Sequence, residues 1–179
     1  MKIFVKKIIT VVKMGNNQNV NLEYKINNIA FNIVSEKILD ENEINKLLGV
    51  LANDGVCAMC VYALDKIKIK DGKDRMGLFI NQLFNFLELF NILNEELKIE
   101  DEINDLKKLN EEIKKLLEEE ERLSDNKKIK LKNKTKERNK IILRMFKKLS
   151  KDINDILFFK EILEKTLIYA RYHAKALGD

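Results

Sequence analysis

The sequence predicts an all-α protein, a helical bundle that carries a long antiparallel αα-hairpin. The chain of 179 residues has no proline and six glycines, so the usual turn signals of β-sheet proteins are missing. Its apolar residues recur every three to four positions over long stretches, which is the periodicity of amphipathic helices. Charged residues make up 35% of the chain and separate into an acidic and a basic run. A hydrophobic share of 45% is enough for one core.

The chain start is interpreted as an extension rather than a targeting segment. Residues 1–13 are expected to be poorly packed, and residues 14–179 to form a single helical domain with a hairpin projecting at about 95–150. Lys6 and Lys7 interrupt the first apolar run, and no small-residue cleavage site follows. No apolar stretch approaches the roughly 20 residues of a membrane helix, so no membrane partner is expected. Two cysteines without other signs of an oxidising compartment favour the cytoplasm.

The first two helices are predicted from an apolar stripe and a capping motif. Residues 22–39 carry apolar side chains at helical spacing. These are Leu22, Ile26, Ile29, Ala30, Ile33 and Val34. Asp40 followed by Glu43 has the pattern of a capping box, in which two side chains satisfy free backbone amides at a helix start. A second helix is therefore expected directly after Asp40.

The residues Asn-Asp-Gly at 53–55 are predicted to break this second helix. Asp54 can cap a third helix over 56–67, which is apolar nearly all round and is therefore expected to be buried. Cys57 and Cys60 lie in it as a single CxxC. The favoured interpretation is two buried helix thiols. A metal or redox role stays open, although no second CxxC or histidine pair completes a zinc site.

A basic loop is predicted over 66–74, followed by the strongest core helix of the sequence. Asp74 can cap this helix, which is expected over 75–97. Its large apolar residues recur at Phe79, Leu83, Phe86, Leu87 and Phe90.

The next two segments differ sharply in charge. Residues 95–121 carry 12 acidic and 5 basic residues, whereas residues 122–151 carry 13 basic and 2 acidic ones. An acidic helix packed antiparallel to a basic helix would neutralise part of both faces, with the turn at 124–128. One apolar seam comprises Leu106, Leu109, Ile113, Leu116, Leu117 and Leu123, and the other Ile141, Ile142, Met145, Phe146 and Leu149.

The sequence offers little for catalysis. It has one histidine, no glycine-rich phosphate loop and no nucleophile elbow. The four consecutive carboxylates at 118–121 point all round a helix and are interpreted as a solvated face rather than a metal site. We therefore expect no enzymatic activity, no cofactor and no metal; an enzyme with a cryptic site is the least favoured alternative.

The basic tract over 127–140 has two interpretations. It is either the solvated face of a lysine-rich helix or a strip that contacts phosphates without reading sequence. The net charge of +5 and a pI of about 9.0 are compatible with a polyanionic partner. The candidate RNA-binding residues are Lys127, Lys128, Lys130, Lys132, Lys134, Lys136, Arg138, Lys140, Arg144, Lys147, Lys148, Arg171 and Lys175. In the phosphate interpretation, the basic residues of the 66–75 segment add to this surface.

The last helix is expected to begin at Ser150 or Asp152 and to run to about Leu177, with Gly178 as its stop. Helical spacing predicts a packing side with Tyr169, Tyr172, His173 and Ala176. Arg171 and Lys175, four residues apart, fall on another side. His173 is therefore interpreted as an aromatic at a packing position, without partners for catalysis.

Two stretches resemble a known family, the small all-helical subunit of the type III-B (Cmr, RAMP module) CRISPR effector complex. The first covers 47–66 and the second 163–177, about 35 residues together. The residues that carry the resemblance are Gly55, Tyr62, Lys66, Tyr169, Arg171, Ala174 and Ala176. Asp-Gly-Val stands where the family has an Asn-Gly-Leu-like turn, and the proline that usually precedes it is missing. Tyr172 replaces the family's second basic residue and His173 its second aromatic. Small subunits of type III-A or type I complexes are similar as well.

The resemblance implies a non-catalytic structural subunit of a CRISPR ribonucleoprotein. Such subunits stack with copies of themselves, pack on other effector subunits, and contact guide and target RNA through basic residues. Sequence-independent contact suits a complex in which base pairing supplies the specificity. The alternative is a helical protein-interaction module, an adaptor or regulator that uses the hairpin at 95–150 as a coiled-coil arm.

Overall fold

The computed structural model describes residues 22–93, 97–118 and 125–178, of which 86% are helical, so the all-α prediction is confirmed. The predicted extension over 1–13 lies outside these residues. The described elements are α1 (Leu22–Ser35), α2 (Glu41–Lys66), β1 (Ile69–Lys70), β2 (Lys73–Asp74), α3 (Arg75–Leu93), α4 (Glu100–Glu118), α5 (Asp125–Leu149) and α6 (Ile153–Leu177).

Helices α1, α2 and α6 pack together and are called here the packing bundle. Lys160 donates to the Ala52 carbonyl and Lys175 lies 3.9 Å from Glu41, so α2 and α6 run antiparallel. The apolar stripe predicted for the first helix is confirmed, because its members turn to the core. Buried in α1 are Ile26, Ile29, Ala30, Ile33 and Val34.

The capping box at the start of α2 is confirmed. The Asp40 carboxylate accepts from the Glu43 amide at 2.8 Å, and the Glu43 carboxylate accepts from the Asp40 amide at 3.0 Å. The predicted break at 53–55 takes the form of a kink inside one long helix. Gly55 lies at φ 85° and ψ −175°, a left-handed region that favours glycine because it has no Cβ.

Helix α2 differs from the sequence-based expectation in two further respects. By length and composition alone it is the one described helix long and apolar enough to cross a membrane, although no such stretch was expected. The segment after the kink is also not buried all round, since Val61 is 56% exposed. Its buried residues are Val56, Met59, Cys60 and Ala63, which belong to the central hydrophobic cluster.

The predicted basic loop over 66–74 contains a small β-hairpin. Ile69 pairs with Asp74 and Lys70 with Lys73, in antiparallel register. Asp71 and Gly72 connect the strands with φ values of 51° and 71°. Two positive φ angles are the requirement of a type I′ turn, and Asp-Gly is a favoured pair for it. This turn directs the chain into α3, where Phe79, Leu83, Phe86 and Leu87 are buried as predicted; the side chain of Phe90 lies outside the description.

Helices α4 and α5 form the predicted antiparallel pair, called here the charged hairpin. Glu112 pairs with Lys134, and Glu102 near the start of α4 lies 2.6 Å from Lys148 near the end of α5. Both predicted seams are largely buried, with Leu117 only partly so and Leu123 outside the described residues. The predicted turn at 124–128 is wrong from residue 125 onward, because Asp125 begins α5.

The charged hairpin contacts the rest of the chain at its base, the part that lies nearest the core. Helix α4 contacts α3 and β2, and α5 contacts α2. Leu106, Leu109, Ile141 and Ile142 join the same hydrophobic cluster as the packing bundle. At the far end Ile113 is fully buried outside that cluster. The base of the hairpin therefore shares the core, and its far end has a small apolar contact of its own.

The ends of α6 are confirmed at Asp152 and Gly178. The Asp152 carboxylate accepts from the amides of Asn154 at 2.7 Å and Asp155 at 3.2 Å. Gly178 lies at φ 75° and ψ 31°, the left-handed conformation of a helix C-cap.

Candidate nucleic-acid interface

The outward face of α5 carries four exposed lysines, called here the lysine stripe: Lys132, Lys136, Lys140 and Lys147. Spacings of four, four and seven residues place them on one face of the helix. The buried residues of α5, such as Ile142 and Met145, lie on the opposite face. At a rise of 1.5 Å per residue the stripe extends over roughly 22 Å. That length corresponds to several phosphates of a nucleic-acid backbone.

The lysine stripe also differs from much of the basic tract in its ion pairing. Among residues 22–93, 97–118 and 125–178, no ion pair involves any of its four lysines. Several other candidate residues are paired instead. The pairs are Lys128 with Asp125 at 3.1 Å, Lys134 with Glu112, Arg144 with Glu102 at 3.3 Å and Lys148 with Glu102 at 2.6 Å. The tract predicted as one surface is thus divided: three of these residues pair with α4, Lys128 pairs within α5, and the stripe faces outward.

The remaining candidates of α5 lie at its first turns. Lys127 is half-buried and Lys130 is exposed. Lys130 is close enough to Glu112 to help lower the pKa of that carboxyl group, although the hydrogen bond from Lys134 is the largest cause. Lys130 therefore belongs to the flank that faces α4 rather than to the stripe.

Arg138 has to be removed from the RNA-binding candidates. Its side chain is 2% exposed and its Nη1 atom is paired with Oδ2 of Asp74, itself buried. The same nitrogen donates to Oδ1 of Asn110 at 3.3 Å. An RNA phosphate cannot reach a guanidinium in this position. Its physical role is to hold α5 against β2 and α4.

A polar network extends from this ion pair into α3. Asn110 donates to the Gly77 carbonyl at 3.3 Å and to Oδ1 of Asn81 at 2.8 Å. Gly77 allows the close approach, because a Cβ at this position would overlap Asp74 Oδ2 and lie 3.0 Å from Arg138 Nη1. Oδ1 of Asp74 and Nε of Arg138 have no hydrogen-bond partner among the described residues. The network fixes where α5, and with it the lysine stripe, stands relative to the core.

Glu102 provides the second anchor of α5. Burial alone would raise the pKa of this carboxyl group, but the Lys148 hydrogen bond, its backbone hydrogen bond and the charges of Lys148 and Arg144 hold the pKa below its usual range. Lys148 also donates to the Lys98 carbonyl at 2.9 Å. Both cations are therefore engaged at the C-terminal end of α5 and are weaker candidates for a phosphate than the stripe.

The C-terminal candidates lie apart from the stripe, on α6 beside α1 and α2. Lys175 is 3.9 Å from Glu41, and the Arg171 guanidinium lies 5.4 Å from the centre of the Tyr172 ring. No described contact joins either residue to α5. The structure therefore places the predicted RNA-binding residues on two helices, α5 and α6.

His173 makes two contacts with α1. Its ring meets Phe31 edge to face at 5.6 Å between ring centres, and Nε2 lies 2.9 Å from Oδ1 of Asn27. The wider packing side predicted for α6 is wrong, because Tyr172 is 57% exposed and Ala176 is exposed as well. The buried residues of α6 are Asp155, Phe158, Phe159, Ile162, Leu163, Thr166, Leu167, Ala170 and Ala174.

The other residues of the resemblance have mixed environments. Tyr62 is partly buried against the core, whereas Lys66 is exposed and pairs with Asp65 at 2.7 Å. That pair raises the pKa of Lys66, chiefly through the hydrogen bond from its ammonium to the carboxylate. Tyr169 is partly buried and donates to Glu23, which raises the pKa of the phenol.

The prediction of two buried thiols is wrong for one of them. Cys57 is exposed and Cys60 is buried. Three residues on a helix span nearly a full turn, so the two side chains lie close but only one reaches the core.

Of the acidic run at 118–121, Glu118 is exposed and the rest lies outside the described residues. Within the part that is described, no group of three or more His, Cys, Asp or Glu residues is placed to hold a metal ion.

Sequence reasoning missed two exposed apolar residues on the face of α5 that carries the lysine stripe. Ile129 is 59% and Leu143 is 43% exposed, and both fall on the face of Lys132, Lys136, Lys140 and Lys147 by helical spacing. The signal was available, because neither residue fits the spacing of the buried seam.

Comparison with known protein families, curated proteins and solved structures finds no match to this chain.

Proposed function

We propose that this protein is a non-catalytic small structural subunit of a CRISPR RNA-guided effector complex. In this proposal it stacks with copies of itself and contacts the backbone of guide or target RNA through the lysine stripe. The observation that carries the RNA contact is the row of four exposed lysines on one face of α5, for which the described residues include no ion-pair partner. Membership in such a complex rests on the resemblance of residues 47–66 and 163–177 to the family's small subunits.

The charge arrangement supports a contact with backbone rather than with bases. Lysine ammonium groups bind phosphates as point charges and release condensed counterions, whatever the sequence. The stripe lies on a single rigid helix that Arg138 and Glu102 hold in place. A row of cations on a rigid helix suits an extended or helical polyanion, because little backbone freedom is lost in forming the complex. Such a surface would bind any sequence that base pairing has already selected.

The test replaces all four lysines of the stripe with glutamine, a neutral side chain, and so removes the positive charge of the stripe. RNA binding is measured from about 50 to 200 mM salt for a single-stranded RNA and for a guide–target duplex. We expect weaker binding at every salt concentration and a slope of log K against log salt that is shallower by roughly 3 for single strands. The matched control replaces four exposed lysines elsewhere, Lys46, Lys108, Lys115 and Lys165, and should change the slope much less.

If both quadruple variants lose the same affinity, the stripe has no special role and binding follows net charge alone. Membership in the assembly is tested separately, by co-purification of the tagged chain from its native host. Recovery of a large effector subunit together with guide RNA would support the proposal. Recovery of the chain with no RNA and no further copy of itself would contradict it.

A second candidate function is a helical protein-interaction module that uses the charged hairpin. The observation that favours it is the exposure of Ile129 and Leu143 among the lysines. A mixed apolar and cationic helix face fits an acidic amphipathic helix as well as a polyanion. Substitution of both apolar residues with serine separates the two, because it should abolish protein docking and leave the salt slope of RNA binding unchanged.

A further inference from the structure

Cys57 and Cys60 differ in a way that matters for thiol chemistry. They stand three residues apart in α2, Cys57 exposed and Cys60 buried. Burial raises the pKa of the Cys60 thiol to about 12, and the charge of Cys57 contributes further. Residues three apart on a helix are neighbours on its surface, so the two side chains lie close together. An exposed thiol followed one turn later by a buried one is the arrangement in which the first attacks and the second resolves.

The two cysteines lie in the first turns of the part of α2 that follows the kink at Gly55. Gly55 leaves the helical region two residues before Cys57, so the turn that holds both cysteines follows a break. This matters because a disulfide needs Cβ atoms about 3.5–4.5 Å apart, whereas residues i and i+3 in a regular helix have Cβ atoms about 5–6 Å apart. The first turn after a break can tighten more easily than the middle of a helix, since its amides have fewer intrahelical hydrogen bonds to lose.

We infer that Cys57 and Cys60 form a thiol–disulfide exchange site whose substrates are small-molecule or exposed protein disulfides. In the first step the Cys57 thiolate attacks one sulfur of the substrate R–S–S–R. A mixed disulfide forms on Cys57, and R–S⁻ leaves and takes up a proton. In the second step Cys60 loses its proton and attacks Sγ of Cys57, and the second R–S⁻ leaves. The protein dithiol has been oxidised by two electrons, and the disulfide has been reduced to two R–SH.

The burial of Cys60 sets the order of events. The exposed Cys57 meets the substrate, while Cys60 cannot be reached from solvent. Once Cys57 is in the mixed disulfide its thiolate charge is gone, which removes one of the two causes that raise the pKa of Cys60. Burial remains, so deprotonation of Cys60 limits the second step. The mixed disulfide should therefore accumulate at neutral pH and resolve faster as the pH rises.

The experiment uses the full chain in its folded state with oxidised glutathione as the probe, followed by intact mass spectrometry. The wild-type chain should first gain one glutathione and then lose it, ending lower in mass by about 2 Da as the internal disulfide forms. Resolution should accelerate roughly tenfold per pH unit between about pH 7 and 9, because the thiolate fraction rises in that proportion.

Two single variants locate the roles. Cys60→Ala should stop at the mixed disulfide, and Cys57→Ser should react at least about tenfold more slowly than wild type. Since either substitution can affect folding, alkylation and peptide mapping of the wild-type chain give a test without variants, and Cys57 should be labelled first. The idea fails if folded wild type never loses the two hydrogens, or if both cysteines are labelled at equal rates. Neither result would bear on RNA binding by α5.

Discussion

The packing bundle and the charged hairpin use polar side chains in opposite ways. Where α1 meets α6 in the bundle, polar contacts between distant parts of the chain lie at the surface, as between Tyr169 and Glu23 and between His173 and Asn27. The contact that positions the hairpin is buried instead: Arg138 pairs with Asp74 across 64 residues, and its Asn110 contact is buried as well. Apolar packing holds the first region, while a directed polar network positions the second.

This difference has a consequence for the lysine stripe. Apolar contacts are non-directional, so an apolar stripe fixes the rotation of a helix less sharply than a directed polar contact does. A buried ion pair with further hydrogen bonds has one good geometry, and any other leaves a charge without a partner. We infer that Arg138 fixes the rotation of α5 and thereby keeps Lys132, Lys136, Lys140 and Lys147 directed outward.

Breaking the buried pair should have the largest effect. Arg138→Ala leaves the Asp74 carboxylate buried without its cation, and we expect a loss of about 3–5 kcal/mol in the free energy of unfolding. Urea denaturation followed by circular dichroism measures it. Lys136→Ala, two residues away on the stripe, is the control and should stay within about 0.5 kcal/mol of wild type. A small loss in Arg138→Ala would mean that the hairpin is held by its apolar seam alone.

Closing the space beside the same pair should have the next largest effect. Gly77→Ala places a methyl group against Asp74 Oδ2, and we expect a loss of about 1–3 kcal/mol from overpacking. Gly49→Ala is the matched control, since nothing lies within 4 Å of a Cβ there. On that exposed helical position alanine should instead stabilise by about 0.5–1 kcal/mol. Equal effects of the two substitutions in thermal denaturation would argue against a tight network at Gly77.

Much of the packing bundle could be predicted from the sequence, because apolar periodicity reports which face of a helix is buried. The stripe of α1, the capping box at Asp40, the interruption near Gly55 and the C-cap at Gly178 all follow from local patterns. Such patterns concern residues three or four apart, where the helix itself fixes the geometry. They could therefore be recognised without knowing the tertiary structure.

The candidate site was harder to predict, because it depends on contacts between distant residues. Arg138 was counted among the RNA-binding candidates, although three and four residues separate it from Ile141 and Ile142 of the buried seam. That position was a usable signal for burial. Its partner Asp74 had no such signal, since an acidic residue after a turn is an ordinary helix cap. Which lysines of α5 remain unpaired depends likewise on α4, and the helix alone does not reveal it.

Removal of the Glu102 charge, the second anchor of α5, should lower the free energy of unfolding moderately and in a pH-dependent way. Glu102→Gln keeps the shape but removes the charge that Lys148 and Arg144 contact, and we expect a loss of about 1–2 kcal/mol at pH 7. Because the folded-state pKa of Glu102 is lowered, its contribution is present above the unfolded pKa of about 4.3 and disappears as the pH falls through the folded value.

Urea denaturation is measured at several pH values from 7 to about 3. The free energies of unfolding of wild type and Glu102→Gln should become more similar as the pH falls. Glu118→Gln is the control on the same helix. Its pair with Lys114 spans 3.8 Å with both side chains 63% exposed, so its effect should stay below about 0.5 kcal/mol. A constant difference between wild type and Glu102→Gln at all pH values would show that shape, not charge, makes the contribution.

The smallest expected effect lies in the packing bundle and tests whether its polar contacts act locally. Asp40→Ala removes the acceptor for the Glu43 amide, and we expect a loss of about 1 kcal/mol in the free energy of unfolding. Asp40→Asn keeps an oxygen acceptor and should cost little, because asparagine caps helices about as well as aspartate. Raising the salt concentration should leave the Asp40→Ala effect nearly unchanged, since its main term is a hydrogen bond three residues away. If Asp40→Asn costs as much as Asp40→Ala, charge dominates at this helix start too, and the contrast between the two regions does not extend to it.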